Sequence, residues 1–103
     1  MIGYSTIGSN DLPKALAYYD GLFGTIGAKR LMEFGENFVL YGLGWGQPGV
    51  AVCRPYDGQP ARAGNGNMIA IVMDARDKVD AFYGAYFRDP EGNKFCAFRI
   101  GGA

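Results

Sequence analysis

The chain contains no histidine, and this absence limits its chemistry more than any residue it carries. Ser-His-Asp and Cys-His relays, the commonest general base and most zinc or iron sites all lose their usual member. What remains are thiols, phenols, carboxylates and guanidinium groups. Cys53 and Cys96 lie far apart and form no CxxC pair, which excludes a metal finger and a dithiol motif. Each reads as a reduced thiol packed within a strand, and Cys96 has no base or cation beside it in sequence. Arg54 sets a positive charge next to Cys53; it either orients an anionic group or pairs with Asp57. Glu33 and Glu36 flank a turn at Gly35. A carboxylate there can accept a proton, although glutamates at such turns are ordinarily just solvated. Trp45 stands in a glycine-rich stretch as a stacking platform or a dimer contact. The Gly42-Leu43-Gly44-Trp45-Gly46 run is no nucleotide fingerprint, because no helix follows it.

The whole chain sets the frame for these residues. Its 103 residues allow one domain, 1–103, with a thin core. A hydrophobic content of 49% with 15% aromatics is that of a folded protein, not a disordered tail. Ten basic and ten acidic residues cancel. No run of like charge points to nucleic acid or an anionic membrane surface, and no apolar run approaches a membrane span. The start, Met1-Ile2-Gly3-Tyr4-Ser5, lacks the pattern of a signal peptide. A cytoplasmic setting is expected.

The elements that position the chemistry follow from periodicity. A short strand over 2–8 ends at Gly8-Ser9-Asn10-Asp11, where Asp11 is a natural N-cap and Pro13 sits in a tolerant first turn. Leu12, Ala15, Leu16, Tyr19, Leu22 and Phe23 recur at helical spacing, which predicts an amphipathic helix over 12–23. Strands are predicted over 28–34, 37–44 and 49–54, separated by turn residues. A polar, proline- and glycine-rich stretch then divides module one (about 1–55) from module two (about 67–103), with a linker over 56–66. Met68-Ile69-Ala70-Ile71-Val72-Met73 reads as a strand covered on both faces. Asp77 is placed as the cap of a short helix carrying Val79 and Phe82. A strand over 83–88, a type I turn at Asp89-Pro90-Glu91-Gly92-Asn93 and a last strand over 94–100 complete the order.

That order and three motifs resemble the vicinal-oxygen-chelate superfamily, which includes glyoxalases, bleomycin-resistance proteins and extradiol dioxygenases. Ile7 to Leu12, continuing through Ala17-Tyr18-Tyr19-Asp20, resembles the family's opening strand and "D-L-x-x-A-x-x-F-Y-D" helix. Cys53-Arg54-Pro55-Tyr56-Asp57-Gly58-Gln59-Pro60-Ala61, followed by Gly64-Asn65-Gly66, resembles a bacterial glyoxalase-like subgroup. Tyr86 to Lys94 resembles the "R-D-P-D-G-N" hairpin before the final strand. The resemblance covers nearly the whole chain and implies an α+β fold, in which paired βαβββ modules form a curved mixed sheet. The second module is short, by roughly 20 residues between Phe82 and Tyr83 on typical element lengths. Either a strand has been lost or a stretch of the protein is absent from this sequence.

The resemblance also bears on the site. In metal-using members, ligands fall at positions that correspond here to Tyr4, Met68 and Cys96, and strand 49–54 offers no carboxylate. A phenol, a thioether and a thiol are a poor set for Zn²⁺, Ni²⁺, Mn²⁺ or Fe²⁺, so no metal and no cofactor are expected. Strand alternation sets Tyr4, Thr6, Met68, Ala70, Cys96 and Phe98 apart from the positions that the family's helices would cover. This set is either plain core or the lining of an apolar cavity, joined there by Trp45 and Arg54. The resemblance implies a small hydrophobic or aromatic ligand held without metal, commonly in a homodimer, with strand exchange between copies one way to close its open edge. The alternative is a lactoylglutathione-lyase-type lyase or isomerase whose missing groups lie in an absent stretch or a partner chain.

Overall fold

The computed structural model describes residues 1–74, 76–81 and 86–99. They fall into two units, Met1–Arg62 and Ala63–Ala103. The division lies inside the stretch 56–66 expected as a linker.

The first unit runs β1 (Tyr4–Gly8), α1 (Leu12–Gly24), β2 (Lys29–Phe34), β3 (Phe38–Gly42) and β4 (Gly49–Cys53). Its sheet has the order β1-β4-β3-β2. β1 and β4 are parallel, with Tyr4 opposite Gly49 and Thr6 opposite Ala51. A parallel pair needs a crossover, which α1 and the antiparallel β2-β3 hairpin supply. α1 starts where the Asp11 carboxylate accepts from the Lys14 amide at 3.3 Å, with Pro13 in its first turn. Gly27, at φ +79°, takes the left-handed turn by which the chain leaves the helix.

Leu12, Ala15, Tyr19, Leu22 and Phe23 form the buried stripe of α1. Ile7, Val39, Tyr41, Val50 and Val52, also buried, occupy alternate positions on three adjoining strands and therefore share one sheet face. Tyr19 stacks on Phe23 at 5.1 Å between centroids, and Phe23 meets Tyr41 at 5.3 Å. Each fully buried side chain of this size contributes about 1.5–3 kcal/mol. A polar lock fastens the rim of this core. Arg30 donates to both Asp20 oxygens at 2.9 and 2.7 Å and to Glu33 at 3.0 Å. The Tyr41 hydroxyl donates to Asp20 at 2.7 Å. The hydrogen-bonded guanidinium holds the Asp20 carboxyl below its ordinary range. Burial, then the Asp20 charge, pushes the Tyr41 phenol up.

The second unit runs β5 (Ile69–Met73), α2 (Arg76–Ala81), β6 (Tyr86–Arg88) and β7 (Lys94–Arg99), with sheet order β5-β7-β6. β5 and β7 are parallel and β6 is antiparallel to β7, which repeats the β1-β4-β3 arrangement. Among the described residues no strand stands where β2 stands in the first unit. The architecture is thus the expected α+β pair of modules, the second one strand short among the described residues. Its hairpin is built on Asp89, whose buried carboxylate accepts from the Glu91 and Asn93 amides at 2.9 and 2.8 Å and from Asn93 Nδ2 at 2.9 Å.

Three expectations for this unit need correction or limits. α2 begins at Arg76, so Asp77 lies inside the first turn and is not the cap; its charge suits the helix dipole there. β5 is not covered on both faces: Ile69 and Ile71 are half-buried, while Ala70 and Val72 are exposed. Phe82, Tyr83 and the shortening expected between them lie outside the described residues.

Candidate functional site

The first sheet turns the face opposite α1 toward an open recess. Tyr4 and Thr6 on β1, Met32 and Phe34 on β2, and Phe38 on β3 line it, with Cys53 at the end of β4. Tyr4 and Phe38 meet edge to face at 5.8 Å between centroids, although β4 runs between their strands. Small residues explain this approach: the β4 positions on their face are Gly49, Ala51 and Cys53. A residue with a long side chain at Ala51 would stand between the two rings.

The segment 54–62 forms a strap along one side. The Arg54 amide donates to the Asn37 carbonyl at 2.9 Å, fixing one end. Asn10 fixes the other: its Oδ1 accepts from the Ala61 amide at 2.6 Å and its Nδ2 donates to the Ala61 carbonyl at 3.1 Å. Between them the Gly58 amide bonds back to Pro55 at 3.1 Å, and Asp57 accepts from the Gln59 amide at 2.9 Å. The strap packs tightly on Gly8, where an added Cβ would come within 3.0 Å of the Ala61 Cβ. Only glycine fits there without a shift.

The recess encloses about 1460 Å³ and is open to solvent. That exceeds the roughly 300–1,000 Å³ of a closed ligand pocket, as an open trough should. Its walls leave apolar surface in water: Tyr4 is 52% exposed and Phe34 74%. The groups able to react there are few. Cys53 is half-buried, its Sγ donates to the Ile7 carbonyl at 3.7 Å, and burial pushes its thiol up, away from the reactive thiolate. Asp57 is the acid among the lining residues; Glu33, engaged by Arg30, and Glu36, exposed in the β2-β3 turn, do not line the recess.

Of the residues expected to form a cavity, Tyr4, Thr6 and Arg54 line this recess. Trp45 lies on the exposed β3-β4 loop, at the other end of β4 from Arg54. Met68, Ala70, Cys96 and Phe98 belong to the second unit. Met68 precedes β5 and is exposed, Ala70 pairs with Cys96, and Cys96 is buried as an inert thiol should be. Arg54 forms no ion pair with Asp57, whose Oδ1 accepts from the Gln59 amide within its own turn. Phe38, Phe34, Met32 and Arg62 were not marked by sequence. Alternation along β3 could have flagged Phe38, but which strand faces it depends on register.

The positions that the resemblance aligns with metal ligands carry side chains of other kinds, Tyr4 in the first unit and Met68 and Cys96 in the second. Tyr4, Met68 and Cys96 offer no carboxylate or imidazole, and among the described residues no three of His, Cys, Asp and Glu come together. Nor is any described helix long and apolar enough to cross a membrane.

No family model and no curated protein matches the sequence. Solved structures do. A glyoxalase/bleomycin resistance protein from Albidiferax ferrireducens is 28% identical, with a TM-score of 0.86 over 98% of this chain and 99% of that one. A lactoylglutathione lyase from Agrobacterium tumefaciens is 18% identical, with a TM-score of 0.69 over 97% and 93%. A glyoxalase/bleomycin resistance protein/dioxygenase superfamily member from Sphaerobacter thermophilus is 21% identical, with a TM-score of 0.64 over 96% of both chains. The last two likenesses bear on the fold alone.

Proposed function

We propose that this chain, which belongs to the glyoxalase/bleomycin resistance/dioxygenase (vicinal oxygen chelate) superfamily, holds a small hydrophobic or aromatic molecule in the recess of its first unit, without a metal. One observation carries the reading. The Tyr4 and Phe38 rings form an apolar floor beside exposed Met32 and Phe34, on the sheet face opposite α1. Apolar surface left in water around a concavity favours a ligand that removes it. A phenol at Tyr4, where the resemblance implies a metal ligand, and a sequence without histidine support binding without metal. A second copy of the chain is the expected partner, since β2 pairs with β3 alone among the described strands.

The test is a fluorescence titration with neutral N-phenylnaphthylamine, which brightens in apolar surroundings. The protein is expected to hold the probe, and Tyr4→Ala or Phe38→Ala to weaken it about tenfold, the scale of one lost aromatic contact. No binding by the unaltered protein, or binding indifferent to both substitutions, would overturn the reading. On the same sample, stoichiometric zinc, nickel, manganese or iron would remove its metal-free part, and sedimentation as a monomer its homodimer.

A further inference from the structure

We propose that the molecule held in the recess is an anion, an aromatic or hydrophobic body bearing a carboxylate or similar group that Arg54 and Arg62 receive. This rests on the recess being the binding site and adds the charge of what it takes. Both arginines line the recess. Their backbones are set in place by the strap's two anchors: Arg54 by its own bond to Asn37, and Arg62 by following directly on Ala61, which Asn10 holds from both sides.

Among the described residues neither guanidinium has an acidic partner. The ion pairs among the described residues join Arg30 to Asp20 and Glu33, and Lys78 to Asp74. Asp57, the acid among the lining residues, lies in the same strap, yet its carboxylate accepts from the Gln59 amide instead. The chain as a whole is neutral, so the positive excess belongs to this site and not to the composition. Two forked donors beside an apolar floor match an amphipathic anion: the rings take its body, and the planar N–H groups take its charged end in pairs. An aromatic cation meets like charge here and should be refused.

A matched pair of probes tests this: neutral N-phenylnaphthylamine and anionic anilinonaphthalene sulfonate. The sulfonate is expected to bind about threefold to tenfold more tightly, the reach of two solvent-exposed charge contacts. In about 1 M salt, where screening acts beyond roughly 3 Å, the preference should fall below twofold. The double variant Arg54→Gln/Arg62→Gln should bring the two probes within twofold of each other on the same protein. A sulfonate held no better than the neutral probe, or a preference that survives the double variant, overturns the inference. If instead the neutral probe is not held at all, it is the binding reading that fails. Both arginines are exposed, and circular dichroism confirms that the variant folds.

Discussion

The two units follow one plan and differ in how they finish it. In each, two parallel strands are joined through a helix, and a third strand runs antiparallel to the later of the pair. Among the described residues, the first unit adds β2 at the edge and a thirteen-residue helix, whereas α2 has six residues. The consequence is a difference in core. The first unit buries an aromatic cluster of Tyr19, Phe23 and Tyr41 between helix and sheet. Among the described residues of the second, only Met73, Phe95, Cys96 and Ala97 are buried apolar side chains. Ala70, Val72 and Phe98 share a sheet face and are exposed. The fourth strand therefore does two things: it completes a sheet broad enough to seat α1, and it supplies Met32 and Phe34 to the recess.

Core truncation separates the two units most strongly. Tyr19 and Phe95 are both fully buried at 0% exposure. Tyr19→Ala is expected to cost about 3–5 kcal/mol of unfolding free energy in denaturant titration, because its aromatic neighbours cannot close the void. Phe95→Ala should fall at the low end of that range, since its stacking partner Phe87 is only half-buried and free to resettle. Equal costs would break the comparison.

The next largest effect compares two carboxylates. Asp89→Ala removes three hydrogen bonds from a buried oxygen pair and should cost about 1–3 kcal/mol. Asp20→Asn, at the more exposed lock, should cost about 1 kcal/mol once solvent screening is allowed for. It should also change the pH profile. Asp20 titrates lower when folded than when unfolded, so its contribution is complete above the ordinary carboxylate range and is lost as pH falls through the folded value. Thermal unfolding between about pH 5 and 2 should lose part of its slope in Asp20→Asn. An unchanged slope would show that the lock stores no charge-dependent stability.

The smallest effect concerns the strap. Asn10→Ala should cost under about 1 kcal/mol, because its two bonds to Ala61 are exposed. Yet it should speed hydrogen exchange at the Ala61 amide by an order of magnitude or so, since local opening then needs no broken side-chain bond. Unaltered exchange there would mean that packing on Gly8, and not Asn10, holds the strap.

Sequence alone determined what is local. The α1 cap, its buried stripe, the strand alternation that sets Tyr4 and Thr6 apart from Ile7, and the Asp89 turn all depend on neighbours a few residues away, and periodicity reports those. The order of elements and three short motifs carried the resemblance to the superfamily and the fold it implies, and the absence of histidine limited the chemistry. Tertiary structure decided what joins distant residues. The Tyr41–Asp20 bond spans 21 residues and the Asn10–Ala61 pair 51. The meeting of Tyr4 with Phe38 depends on a β4 register that places small residues between them. Pro55 and Tyr56 alone separate Arg54 from Asp57 in sequence, yet the two form no ion pair, and Asp57 Oδ1 accepts from the Gln59 amide. Such pairings are set by how strands align and where loops are pinned, and a linear pattern does not encode either one.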